Sequence, residues 1–211
     1  MKVIAFNGSP KSKGNTYNAI RIVTDELEKA GIEVEIIHVG NKLIRGCMAC
    51  GECAKNQNEQ CIMRNDEVNS WIQKMKGADG ILLGSPVHYA GIGGTMKSFL
   101  DRAFYVASVN RGMFRHKVGA SIVADRRSGG VSTFDQLNHF LNYSEMIIPA
   151  SNYWNVSYGT EPAEVLKDTE GTQIMRVLGK NMAWLLNVMD KGKEKVDEIT
   201  PEEKVFMNFI R

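Results

Sequence analysis

Val3-Ile4-Ala5-Phe6 runs into Asn7-Gly8-Ser9-Pro10-Lys11-Ser12-Lys13-Gly14, and from Asn15-Thr16 an apolar stripe at Ile20, Val23 and Leu27 continues to Gly31. An apolar run, a turn-rich segment and an amphipathic pattern ended by glycine read as strand, loop and helix. In that order the helix offers its N-terminus to whatever the loop encloses. A phosphate bound there needs unpaired backbone N–H groups, small residues that let it approach, and hydroxyls to complete the donor set. Ser9, Ser12 and Thr16 supply hydroxyls, Asn15 an amide, Lys11 a charge and Gly14 freedom in the turn. The nucleotide-hydrolysing P-loop requires lysine after its second glycine, and Asn15 stands there instead. The G-x-G-x-x-G dinucleotide fingerprint is absent from this turn as well, so a classical nicotinamide-binding half is not indicated and the donors read as a monophosphate cradle, with a plain βα turn as the alternative.

The same alternation continues along the chain. A second strand is expected over 34–39, then a cysteine-bearing segment, then a helix over about 66–76. Gly80-Ile81-Leu82-Leu83-Gly84 is continuously apolar, as a central parallel strand covered on both faces must be. It leads through a loop, 85–94, to a helix from Thr95 to about Tyr105. A fourth strand (118–124) is followed by a loop (125–130) and a helix to about Asn142. A fifth strand is expected over 146–150, an irregular stretch over 151–170, and a last helix from Thr172 to about Met189. Strands alternating with helices give an α/β, doubly wound, five-stranded parallel sheet of order 2-1-3-4-5 with helices on both faces. Ligands of such sheets bind beyond the carboxyl ends of the strands at the switch point, here between strands one and three. The loops 8–15, 85–94 and 125–130 then share one rim.

Length and composition fit one such domain. The 211 residues, 43% hydrophobic and 24% charged, can bury one core but not two. We assign 1–190 to the domain and 191–211 to a charged linker and short C-terminal helix. Thr200-Pro201-Glu202-Glu203 has capping-box spacing, and Val205, Phe206, Phe209 and Ile210 would share one face of that helix. A net charge of +2 with interspersed signs excludes nucleic acid as the expected partner. The longest apolar run is far short of a bilayer, and Met1 leads straight into a strand, so no membrane is expected and the expected location is cytoplasmic.

The other two loops suit a flat heteroaromatic ring, which needs backbone donors and acceptors along its polar edge and an apolar wall on its face. Pro86-Val87-His88-Tyr89 with Gly91 can provide both, with His88 as a ring contact and no proton-transfer role. Arg126-Arg127-Ser128-Gly129-Gly130 can expose amides of Ser128, Gly129 and Gly130 to developing negative charge. No side chain is assigned a catalytic acid, base or nucleophile.

Cys47, Cys50, Cys53 and Cys61 are the only cysteines and lie within one short segment, unlike a secreted disulfide framework. Four thiolates so close suit an iron–sulfur cluster; zinc and free thiols are the other two readings.

Together the segments Gly8-Ser9-Pro10, Gly14-Asn15-Thr16, Gly84-Ser85-Pro86-Val87-His88-Tyr89, Lys97-Ser98-Phe99-Leu100-Asp101-Arg102 and Gly129-Gly130 resemble the flavodoxin-like NADPH-dependent FMN reductase family, and within it the iron-sulfur flavoprotein branch. The resemblance reaches to about Met189. It implies noncovalent FMN, with phosphate on the first loop and the isoalloxazine against the other two, in homodimers or homotetramers. It also implies a 4Fe-4S cluster on the four cysteines. Electrons would come from NAD(P)H or a ferredoxin-like donor and go to a small-molecule acceptor such as a quinone, free flavin or a metal. An electron-transfer module with no substrate of its own, and a redox sensor acting through the cysteines, are the alternatives.

Overall fold

The computed structural model describes residues 1–197, 199–202, 204, 205 and 207. Strand β1 (Lys2–Asn7) alternates its side chains between two cores, as the two-residue period of a strand requires. Val3 and Ala5 face one side, where α1 (Asn15–Lys29) contributes Ile20, Val23 and Leu27 and α6 (Thr169–Gly192) contributes Met175, Leu178 and Met182. Ile4 and Phe6 face the other, against α3 (Val68–Gly77), α4 (Gly94–Val109) and α5 (Gly130–Tyr143). Phe6 packs there on Phe99 and Trp71, with ring centroids 4.7 and 6.5 Å apart.

The remaining parallel strands are β2 (Glu33–His38), β3 (Gly80–His88), β5 (Val118–Asp125) and β6 (Val156–Tyr158), in the order β2-β1-β3-β5-β6. This is the expected doubly wound topology. Two elements depart from expectation. Residues 85–94 are not a plain loop: β3 continues to His88 and turns back through β4 (Gly91–Ile92) as an antiparallel hairpin.

The fifth position of the sheet is also filled differently. Of the segment 146–150, only Ile147 pairs, in a single bridge to Val118. Its N–H donates to Lys117 O at 2.9 Å and its carbonyl accepts from Gly119 N at 3.0 Å. The next inward donor on this ladder would be residue 149, which is a proline and has no N–H, so pairing stops. The chain loops out and returns as β6. Across the gap the Asn155 amide donates to Ser121 O at 3.0 Å, a side chain serving in place of the ladder. The C-terminal helix expected after Thr200 falls in part on residues 203, 206 and 208–211, which lie outside those described.

Helix α6 lies close against α1 at Gly179, where an added Cβ would stand 2.6 Å from Val23 O. Replacing Gly179 with valine should therefore overpack this face and lower stability by about 1–3 kcal/mol. A urea midpoint unchanged in Gly179→Val would contradict this packing.

Candidate functional site

The first loop is held from behind by its neighbours. Gly8 N donates to Gly84 O at 2.8 Å, tying the loop to β3. A Cβ at Gly8 would lie 2.7 Å from Met96 Cβ, so only glycine lets the turn sit this close to α4. Buried Asn7 works as an internal brace: its Oδ1 accepts from Ser9 N at 3.1 Å and its Nδ2 donates to Ser12 O at 3.1 Å. Ser9 Oγ accepts from Lys11 N at 3.2 Å. From the β2 side, His38 Nε2 lies 2.7 Å from Ser9 O, and because a carbonyl only accepts, that nitrogen carries the proton. A Cβ on Gly40 would stand 2.1 Å from the same oxygen.

No side chain caps the N-terminus of α1 at Gly14, whose backbone is extended. The first amides of the helix are thus left for a ligand. Asn15 is only partly free for that role, because its Oδ1 accepts from Val165 N at 3.3 Å and fastens the helix to the 3₁₀ turn Glu164–Lys167.

The second loop is the β3–β4 hairpin. Tyr89 and Ala90, its two turn residues, have φ of 50° and 59°, the left-handed pair that two-residue hairpins require and non-glycine residues adopt at a cost. Ser85 Oγ pins the base, accepting from Gly93 N at 3.1 Å and donating to Pro86 O at 2.7 Å. At the tip, Ala90 O accepts from Ser132 Oγ at 2.9 Å and Gln136 Nε2 at 3.3 Å, both from α5.

The third loop turns on Gly129 at φ 99°, where a Cβ would lie 2.8 Å from Ala90 Cα. Buried Asp125 organises it, accepting from Arg127 N at 3.2 Å and from Gly130 N at 3.0 Å. The Gly130 amide, expected to face a ring edge, is therefore committed to Asp125.

These three loops border one cleft of about 210 Å³ at the switch point between β1 and β3. Of the residues singled out in the sequence, Ser9, Lys11, Asn15, Thr16, Pro86, Val87 and His88 line it. Ser12, Gly14, Tyr89, Gly91, Ser128, Gly129 and Gly130 belong to the surrounding loops without lining it. The lining also includes Asp125, Gly159 and Thr160, which the sequence reading did not single out. Gly159 and Thr160 follow the three-residue β6, and His38 and Gly40 act on the loop from outside the cleft. Only the fold brings these positions to the first loop.

The four cysteines form a second locality. Cys47 and Cys50 are exposed; Cys53, on α2 (Glu52–Asn56), and Cys61 are buried. Asn69 grips the Cys61 backbone, its Oδ1 accepting from Cys61 N at 2.7 Å and its Nδ2 donating to Cys61 O at 2.9 Å. All four border one small cavity, whose wall also holds Met63, Arg102 and Val106. Burial pushes the Cys53 thiol above its usual pKa, and the Cys61 and Cys47 sulfurs add to the effect. Among the described residues, no three His, Cys, Asp or Glu side chains are grouped to hold a single metal ion. The cysteines surround a space, and an all-thiolate donor set of this kind suits an iron–sulfur cluster, in which each cysteine binds a different iron.

Comparison with known proteins gives a consistent result. Residues 1–161 match the family described as NADPH-dependent FMN reductase. An iron-sulfur flavoprotein of Methanocaldococcus jannaschii is 33% identical over 199 residues, covering 90% of this chain and 100% of that protein. An iron-sulfur flavoprotein of Methanosarcina thermophila is 26% identical over 197 residues, covering 92% and 100%. Among solved structures, RosB with bound 8-demethyl-8-formylriboflavin-5'-phosphate superposes with a TM-score of 0.67 at 16% identity, over 100% of this chain and 94% of that one. The likeness to RosB concerns the fold. Flavodoxins are among the further structural neighbours, and the fold is flavodoxin-like. No described helix is long and apolar enough to cross a membrane.

The burial of the thiols sets their reactivity in iron-free protein. Exposed Cys47 and Cys50 should be alkylated at least about tenfold faster than Cys53 and Cys61, because burial keeps the reagent from both sulfurs and, at Cys53, also disfavours the reactive thiolate. Peptide mapping after timed iodoacetamide treatment checks the order; uniform labelling of all four would contradict the arrangement of the cavity.

Proposed function

The chain belongs to the NADPH-dependent FMN reductase family, and on that premise we propose that it is an FMN-dependent oxidoreductase of the iron-sulfur flavoprotein type. The observation that carries this reading is the cleft in which the uncapped N-terminus of α1, the hydroxyl-bearing residues Ser9 and Thr16, and the hairpin face Pro86–His88 converge. The donors suit a monophosphate and the hairpin suits a flat ring, so Ser9, Lys11, Asn15 and Thr16 would hold the FMN phosphate and Pro86, Val87 and His88 its ring system. When bound, FMN supplies the chemistry of accepting a hydride or single electrons and passing them on. The protein's part would be to hold the ring system against the hairpin residues Pro86, Val87 and His88, and to orient it for a donor or acceptor entering the cleft. No side-chain acid or base is required for these tasks.

The electron source in this proposal is NAD(P)H or a reduced ferredoxin-like carrier, and the sink is a small molecule such as a quinone, free flavin or a metal ion. The four cysteines around one cavity support a 4Fe-4S cluster as a second centre. They also favour one other reading, an electron-transfer module that serves a protein donor and has no substrate of its own. We further assign a homodimer or homotetramer. Tyr89, wholly exposed on the hairpin tip, and Tyr105 and Tyr143, half-exposed beside the groove between α4 and α5, are surfaces a second copy would cover.

Two measurements test the proposal. Protein purified without oxygen should show flavin absorption in its visible spectrum, and the Ser9→Ala/Thr16→Ala variant should bind FMN more weakly by about 1.5–3 kcal/mol for each lost bond to the charged phosphate. Equal FMN affinity in wild type and variant would remove the phosphate assignment. Steady-state oxidation of NADH and NADPH by FMN-loaded protein separates the two readings: turnover with a quinone or free flavin supports the enzyme. Its absence, with reduction by a ferredoxin retained, supports the carrier.

A further inference from the structure

Arg102, on α4, is 1% exposed and stands in the wall of the cysteine cavity. Its two terminal nitrogens are occupied. Nη1 pairs with Asp66 and lies 3.4 Å from Arg45 O, while Nη2 donates to Asp66 Oδ1 and Met63 O, each at 3.1 Å. Nε is buried and has no hydrogen-bond partner. Burial works against the charge, but Asp66 and the neighbouring Cys61 sulfur more than offset it, so the guanidinium is held firmly protonated. A buried donor without an acceptor is rare in native proteins and asks for an explanation. A protonated thiol is a weak acceptor, whereas a thiolate bound to iron is a strong one.

The following rests on the reading that the four cysteines hold a cluster. We propose that Arg102 is a positioning residue for that centre: its Nε–H donates to the Cys61 sulfur once that sulfur is a metal-bound thiolate, and so raises the centre's reduction potential. Asp66 takes the Nη end of the guanidinium, which leaves the Nε edge as the positive side of the pair available to sulfur. Reduction adds one electron, supplied by reduced flavin or an external carrier, and neither makes nor breaks a bond nor takes up a proton. The added negative charge spreads onto the sulfur ligands, where a hydrogen-bond donor and a nearby cation stabilise it in a cavity that screens poorly. If Arg102 only tied residues 45, 63 and 66 to α4, it would affect stability and leave the potential alone.

The test uses full-length, FMN-loaded protein reconstituted without oxygen from ferrous iron and sulfide, with the potential followed by electron paramagnetic resonance. Removing Arg102 alone would strand the Asp66 carboxylate, so the main variant is Arg102→Gln with Asp66→Asn, and Arg102→Lys keeps the cation while removing Nε. The double variant should lose about tenfold in the reduction equilibrium constant, a drop of about 59 mV for one electron. Arg102→Lys should fall between it and the wild type, and the FMN potential should not move in either. An unchanged centre potential in variants carrying a full complement of iron overturns the inference and leaves the cluster reading intact. Loss of iron from both variants with FMN retained also overturns it, since Arg102 would then build the pocket without tuning it. Background iron in the wild type overturns the cluster reading, and this inference falls with it.

Discussion

The bond from the Gly8 amide to the Gly84 carbonyl is the last one joining β1 to β3 before the two strands send their chains to opposite faces of the sheet. Every element of the cleft depends on that parting. It forces the chain after β1 to turn within a few residues, with a glycine against Met96, and it delivers the uncapped end of α1 to the rim. The turn is not soft. Asn7 braces it from within and His38 and Gly40 back it from β2, so the shape of the loop is set by the protein's own bonds.

Helix α4 connects the two localities. Its first turn places Met96 against the first loop, and Arg102, six residues further and so about 9 Å along the axis, faces the cysteine cavity. One helix thus borders both the cleft loop and the cysteine cavity. The hairpin is joined to the third loop at Gly129 and to α5 at Ser132, both through Ala90.

Much of this was legible in the chain, and the reasons are local. The strand, loop and helix at 3–31 carry their own periodicity and punctuation, and the continuous apolar run 80–84 could belong only to a doubly covered strand. The hairpin at 85–92 was hidden because its turn is Tyr89-Ala90, neither of which advertises positive φ as Asn-Gly does. The fifth strand was misplaced because 146–150 is apolar enough for an edge, while the decisive fact is one missing N–H at Pro149. Asp125, with both carboxylate oxygens turned inward to amides, reads in sequence as an ordinary strand-end residue. The relation of Arg102 to Cys61 joins positions far apart in the chain, and no periodicity encodes it.

Cys53 and Cys61 are members of the same apolar core as Phe6, Trp71 and Phe99. A buried thiol packs much as a small aliphatic side chain does, so either could be exchanged for one during evolution without dismantling the sheet. Cys47 and Cys50 sit on the surface and bear even less of the fold. The cleft at the switch point draws on none of the four. A lineage carrying this architecture could therefore gain or lose the four-cysteine cavity through a handful of substitutions, while selection on the cleft at the switch point proceeds undisturbed.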